Sequence, residues 1–215
     1  MEKQGKIALL LGASGLVGGE LVEQLLNSPH YREVVALVRR PLKRQHPKLR
    51  QEIIDFDQPD AAKIQGDDLF CALGTTLRQA GSQDAQYKVD CMYPAQIGLL
   101  ARQQGVRQYL LVSSLGADAE SSNFYLRTKG DLEGKIRGLQ FENFVIARPS
   151  LLLGERAGFR PLEAISSVFA RLFKPFLPRK YRGVAASKVA AALIALANQD
   201  LQGVQVVESG EIQGY

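Results

Sequence analysis

The chain of 215 residues is 46% apolar and 23% charged, carries a net charge of +5, and holds two cysteines and no tryptophan. Those proportions suit a soluble globular α/β chain and exclude a collagenous, low-complexity or disulfide-built protein. No apolar run reaches the ~18–20 residues of a membrane span. The opening "MEKQGKIALLLG" shows no basic region, long apolar stretch or cleavage site of a secretory leader, and Cys71 and Cys91 belong to no CxxC or Cys/His cluster. Reduced thiols in a cytoplasmic protein without a metal site are therefore expected.

Short β-branched runs alternate with helical patterns along the chain. The predicted strands are "KIALLLG" (6–12), "EVVALVR" (33–39), "QEIIDF" (51–56), "DLFCALG" (68–74), "QYLLVSS" (108–114), "NFVIARPS" (143–150) and "VQVVES" (204–209). Helices are predicted at 16–27, 82–104, 123–139, 161–174 and 187–199. Strands this apolar throughout suit a parallel sheet covered on both faces, and regular strand–helix alternation builds right-handed βαβ units. The expected fold class is α/β, a doubly wound parallel sheet forming one domain over residues 1–215. Pro161, Pro175 and Pro178 break the rhythm, so 150–186 is expected to form a small helical lobe or cap on the substrate side.

The first predicted strand runs into "LGASGLVGGE", with Gly12, Gly15 and Gly18 spaced by three. In a doubly wound sheet this turn lies at the carboxyl edge, where ligands bind. Gly12 would permit the tight turn, Gly15 would let backbone N–H groups approach a pyrophosphate, and Gly18 would let the helix pack closely on the strand. The free N–H groups and partial positive charge of the helix start then face the anion. The spacing is GxxGxxG, with Ser14 where the usual dinucleotide fingerprint has its middle glycine.

At the end of the second predicted strand a dinucleotide site selective for NAD carries an acid; here Arg39 and Arg40 stand instead. They open "RRPLKRQHPKLR" (39–50), which has six basic residues in twelve and no acid. Two guanidinium forks suit an adenosine 2′-phosphate, so NADPH is the expected cofactor. Asp55, or Asp57 two residues on, would accept from the adenine amine. The same stretch lacks the aromatic interleaving of a specific nucleic-acid surface. A second basic segment, "RLFKPFLPRKYR" (171–182), follows the aromatic spacing of Phe169, Phe173 and Phe176, which reads as one packed helix face.

Further along, "SSNFYLRTKGDLE" places Tyr125 and Lys129 one helical turn apart on one face. Lys129 would hold a ribose and ease proton release from Tyr125, which would exchange a proton with a substrate oxygen while Ser114 orients that oxygen. Ser113 is adjacent and is the other possible serine.

Taken with "CALGTTLRQAG", "KVD", "LLVSSLGADAESSNFYLRTKGDLE" and "ARPSLLLGER", the chain resembles the short-chain dehydrogenase/reductase superfamily, in its atypical and extended branch, and within it the Tat-interacting-protein-like oxidoreductases. The resemblance spans roughly residues 5–208. It implies a Rossmann-type fold and NADPH binding, with phosphate contacts from Gly12, Ser14, Gly15, Leu16 and Val17. Arg39 and Arg40 would take the 2′-phosphate, and Leu73, Gly74 and Thr75 would line the adenine and ribose side. Ser114, Tyr125 and Lys129 fall on the superfamily's catalytic triad, and Pro149 and Ser150 where it contacts nicotinamide. Two positions depart from the pattern: Ala72–Leu73–Gly74 replaces an Asn-Ala-Gly stretch, and Asp90 stands where an asparagine often completes a proton relay.

The expected function is NADPH-dependent hydride transfer to or from a carbonyl or hydroxyl of a small molecule. The alternative is an NADPH-binding regulatory module acting through a protein partner without turnover. The predicted helices at 82–104 and 123–139 leave both a monomer and a homodimer open.

Overall fold

The computed structural model describes residues 5–153 and 183–215. In chain order it contains β1 (Lys6–Leu11), α1 (Leu16–Asn27), β2 (Tyr31–Val38), β3 (Leu49–Ile53), β4 (Asp68–Cys71), α2 (Leu77–Ala80) and α3 (Gln83–Tyr87). A π-helical segment (Lys88–Met92) leads into α4 (Tyr93–Gln103), followed by β5 (Gln108–Val112), α5 (Phe124–Gly138) and β6 (Asn143–Arg148). After β7 (Leu152–Leu153) and β8 (Val184–Ala185) come α6 (Ala186–Ala197), β9 (Gly203–Glu208) and the short α7 (Ser209–Ile212).

Seven strands form one sheet in the order β3-β2-β1-β4-β5-β6-β9. Every neighbouring pair in it is parallel. The chain starts in the middle of the sheet, builds outward to β3, then returns across β1 to build the other half. The order reverses between β1 and β4, and doubly wound sheets bind their ligands at the carboxyl edge of such a switch point.

Side chains on successive strand positions point to opposite faces, and both faces are buried. On one, Ala8, Leu10, Val34, Ala36, Phe70 and Val145 pack under α1 and α6. On the other, Leu9, Leu11, Val35, Leu37, Leu111 and Ile146 pack with Ile97 of α4 and Leu132 and Ile136 of α5. This is why the strand sequences are apolar throughout rather than alternating. α1 buries Val17, Gly18, Leu21, Val22, Leu25 and Leu26, the stripe of a helix lying on a sheet.

The predicted strands and the helices at 16–27, 123–139 and 187–199 match observed elements within a few residues. The predicted helix at 82–104 is instead α3, the π segment and α4. Pro94 accounts for the break: it has no N–H, and its ring would crowd the carbonyl four residues back, that of Asp90. Widening the turn at 88–92 accommodates both effects.

The pairing of β7 with β8, Leu152 opposite Val184, is not evident in the sequence. It joins the two ends of the segment 154–182, which lies outside the described residues. The predicted lobe at 150–186, its helix at 161–174, the aromatic face at Phe169, Phe173 and Phe176 and the basic stretch 171–182 fall almost entirely there.

Candidate functional site

The carboxyl ends of β1, β2, β4, β5 and β6 deliver Gly12, Arg39, Leu73–Thr75, Ser113–Ser114 and Pro149–Ser150 to one edge of the sheet. The three glycines of the first turn have separate physical jobs. Gly12 is in the left-handed region at φ +82, and a Cβ there would lie 2.4 Å from the Ala72 carbonyl oxygen. A Cβ on Gly18 would come within 1.9 Å of the Gly12 carbonyl oxygen, so α1 can sit this close to the turn only with glycine. Gly15 differs: its Cβ would meet nothing nearer than the Gly12 oxygen at 3.2 Å. Gly15 is the N-cap of α1, and it offers no side-chain cap; the first turn contains no acid. The donors of Leu16 and Val17 at the helix start are therefore free to meet an anion, beside Ser14, which is exposed on the same turn.

The basic stretch divides in two. Arg44 pairs with Glu23, Arg50 with Glu33 and Glu52, and Lys48 donates to the Ser28 carbonyl at 3.2 Å. Arg39 and Arg40, directly after β2, are exposed and take part in none of the described ion pairs. Across the β3 end, Asp57 is held by Lys88 at 2.6 Å and by the Tyr93 hydroxyl at 2.8 Å, which keep its carboxyl below the usual range. Asp55 is exposed, and its Oδ1 accepts the Asp57 N–H at 2.9 Å. Both acids are engaged through Oδ1 in the described contacts, Asp57 by a lysine and a tyrosine and Asp55 by a single backbone N–H, so Asp55 is the less committed of the two.

At the other end of the edge, Asn123 caps α5 by accepting the Leu126 N–H at 3.2 Å, which places Tyr125 in its first turn and Lys129 in its second. Tyr125 is 40% exposed, Lys129 is buried, and the ammonium lies 5.9 Å from the tyrosine ring centre. Gly74 faces Lys129 and Asp90 rather than open solvent alone. Thr75 donates its N–H to Asp90 Oδ1 at 2.6 Å, while Leu73 packs against the core under α4 and α5.

The two serines separate clearly. Ser113 is buried, and its hydroxyl donates to Glu133 Oε1 at 2.5 Å; Glu133 in turn receives two bonds from Arg148, at 3.0 and 2.6 Å. Ser114 is half-buried, and among the described residues its hydroxyl makes a long 3.5 Å contact to the Leu115 carbonyl. Ser113 braces α5 against β6, and Ser114 presents its hydroxyl at the edge. Pro149 is buried, its carbonyl accepting from Leu115 N–H at 2.9 Å, and Ser150 meets the Ser209 hydroxyl at 2.9 Å.

Sequence reasoning missed two features. The Ser113–Glu133–Arg148 cluster joins residues 15 to 35 apart, and no local pattern announces it. Gly130 admits the loop preceding α5, since a Cβ there would lie 2.2 Å from the Ala119 nitrogen. Its only trace is a glycine directly after Lys129.

A parallel sheet with a glycine turn at its crossover, a naked helix start and a Tyr–Lys pair along one edge defines a dinucleotide-binding oxidoreductase fold. The NAD(P)H-binding family matches residues 12–200, and the chain belongs to it. Two relatives place it among the atypical short-chain dehydrogenases/reductases. HTATIP2 of Rattus norvegicus is 36% identical, over 91% of this chain and 81% of its own length. FMP52 of Eremothecium gossypii is 34% identical, over 95% of each. Among solved structures, MoeE5 in complex with UDP-glucose and NAD superposes with a TM-score of 0.71 at 21% identity, covering 97% of this chain and 79% of its own. A Bacillus cereus UDP-glucuronic acid 4-epimerase in complex with NAD gives 0.70 at 15%, over 94% and 77%. At such identities these two show the shared fold.

The relatives correct the cytoplasmic expectation, because the FMP52 proteins of several fungi are named as mitochondrial. Cysteine usage and the absence of a secretory pattern distinguish oxidising from reducing surroundings; they do not separate two reducing compartments. Among the described residues no helix is long and apolar enough to cross a membrane.

Proposed function

We propose that this protein is an NADPH-dependent oxidoreductase that moves hydride to or from a carbonyl or hydroxyl carbon of a small molecule. The observation that carries the reading is the pair of exposed arginines at the end of β2 that take part in none of the described ion pairs, where a site selective for NAD would hold an acid. Every other arginine of the stretch is paired with a carboxylate, so these two, with the exposed Lys43 nearby, are the cations of the stretch that the described contacts leave for an external anion.

The residues fit the cofactor on their own geometry. The α1 start would hold the diphosphate, Arg39 and Arg40 the 2′-phosphate, Asp55 the adenine amine, and Lys129 the ribose next to the nicotinamide. The cofactor supplies the hydride. Tyr125, exposed and within reach of the edge, supplies or takes the proton, Ser114 orients the substrate oxygen, and Pro149 and Ser150 border the ring site.

Two measurements test this. NADPH binds at least tenfold more tightly than NADH, since a charge-assisted hydrogen bond contributes about 1.5–3 kcal/mol, and Arg39→Ala with Arg40→Ala removes most of the preference. Equal calorimetric affinities in the unaltered protein would take both arginines out of the site. Second, Tyr125→Phe lowers carbonyl reduction by roughly 10²–10⁴ while NADPH affinity changes less than about tenfold. NADPH binding without reduction of any carbonyl in a broad metabolite panel would leave a cofactor-binding regulatory module as the better account.

A further inference from the structure

Asp90 is a fully buried carboxylate in the middle of the π-helical segment, and the reading above gives it no task. Its Oδ1 accepts the Thr75 N–H at 2.6 Å, and its Oδ2, with the Gln86 amide nearby, makes no hydrogen bond of normal geometry among the described residues. A buried carboxylate oxygen so weakly satisfied is costly to keep. Opposite it stands Lys129, 4% exposed and absent from the described ion pairs. Both groups face Gly74: a Cβ there would lie 3.7 Å from Lys129 Nζ and 3.8 and 3.9 Å from the two Asp90 oxygens. One ammonium and one carboxylate therefore share a small space at the catalytic end of the edge without touching.

The surroundings of Asp90 contain little else that is charged. Lys129 faces it from α5, Cys71 from β4, Gln86 from α3, and the Thr75 N–H from the loop after β4. Tyr87 and Asp131 address the neighbouring Cys91 thiol instead. Burial pushes the Asp90 carboxyl above its ordinary range, and the Lys129 charge only partly opposes that.

We infer that Asp90 is the counter-ion of Lys129 and, acting through it, sets the relative affinity of the site for oxidised and reduced cofactor; the inference rests on the NADP(H) reading. The two cofactor forms carry the same diphosphate and 2′-phosphate, so whatever the arginines contribute cancels in the ratio of their affinities. They differ by one positive charge on the nicotinamide ring. With Asp90 ionised, the lysine–carboxylate pair is neutral and that charge is tolerated. With the carboxylate neutralised, Lys129 stands uncompensated and the oxidised form alone is penalised. A unit charge about 6 Å away at an effective dielectric of about 40, between the values for a protein surface and for water, changes the ratio on the order of tenfold.

The test binds NADP⁺ and NADPH separately to the full chain and to Asp90→Asn and Asp90→Glu, by calorimetry or fluorescence, from pH 5 to 8. In Asp90→Asn at neutral pH the ratio Kd(NADP⁺)/Kd(NADPH) rises about tenfold, while Asp90→Glu keeps the ratio of the unaltered protein. In the unaltered protein the ratio climbs toward the Asp90→Asn value as the pH falls through the Asp90 titration, and in Asp90→Asn it is flat. A purely structural role would weaken both forms together. An unchanged ratio in Asp90→Asn overturns the inference and leaves the NADP(H) reading standing. If Asp90→Asn fails to fold, a flat ratio across the pH series of the unaltered protein overturns it just as well. Failure to bind either form overturns both.

Discussion

Glycine carries three different loads within seven residues of the first turn. At Gly12 a side chain meets both a left-handed backbone and the Ala72 carbonyl; at Gly18 it meets backbone at 1.9 Å. At Gly15 only the Gly12 oxygen is near, at 3.2 Å, and the remaining space is where an anion would approach the helix start. Gly15→Val therefore folds with a cooperative melt, yet loses NADPH binding by at least a hundredfold. Gly18→Ala loses stability instead, by about 1–3 kcal/mol in chemical denaturation, the usual cost of forcing atoms into filled space. Near-native NADPH affinity in folded Gly15→Val would reduce the turn to a strand–helix connection. The triplet is visible in the sequence, but which glycine serves the ligand and which the packing depends on how close β4 comes, and β4 lies more than fifty residues away.

α5 shows how one element is held in place from several sides. Tyr125 and Lys129 occupy its first two turns, and its inward face is clamped by Glu133, 3% exposed, bonded to both Ser113 and Arg148. Removing one partner of a buried ion pair leaves a charge uncompensated, typically at about 3–5 kcal/mol. Glu133→Gln loses a similar amount in urea unfolding, and cofactor affinity in the surviving folded fraction changes little. A loss under about 1 kcal/mol would mean the pair is no more than a solvated contact. The loop crossing at Gly130 and the Asn123 cap complete the support. Of these, the cap is legible from the Asn two residues before Tyr125, because capping is local chemistry. The clamp is not, because it joins β5, α5 and β6.

At the scale of the whole molecule the two edges of the sheet are built for opposite purposes. Along the amino edge a polar network spans five adjacent strands: Tyr31 donates to Asp68 at 2.6 Å, Lys6 pairs with it at 2.7 Å, and Gln108 donates to it at 2.9 Å and accepts from Asn143 at 2.8 Å. Lys6 and Gln108 also donate to the Ala197 carbonyl at the end of α6, at 2.8 and 3.0 Å. Burial raises the Asp68 carboxyl above its ordinary range, with Lys6 pulling the other way. The native chain therefore keeps this proton to a higher pH than the unfolded chain does. The stability it contributes is full below the ordinary carboxylate pKa and is lost as pH rises through the folded value. Asp68→Asn removes that slope from the stability–pH curve while NADPH affinity at the far edge stays within about twofold. A slope that persists in Asp68→Asn would assign the proton elsewhere.

What chain order and residue type decide alone is substantial here. Apolar strands alternating with amphipathic helices, a glycine-rich first turn, paired arginines where an acid would otherwise sit, and Tyr125 with Lys129 at helical spacing are all local patterns, and local patterns survive without knowledge of neighbours. The covered, doubly wound parallel sheet follows from them, because parallel strands need crossovers and crossovers prefer one hand, while the strand order itself is read from the folded chain. Compartment is different, since cysteine chemistry separates oxidising from reducing surroundings and nothing finer. Which serine is buried and which half-exposed, which arginines take part in none of the described ion pairs, and what lies around Gly74 emerge only in the folded chain. Each depends on a partner far along the sequence: Glu133 claims Ser113, Glu23 and Glu33 claim Arg44 and Arg50, and Lys129 and Asp90 meet across Gly74. Charge pairing and burial depend on distance in space, and distance in space is what folding supplies.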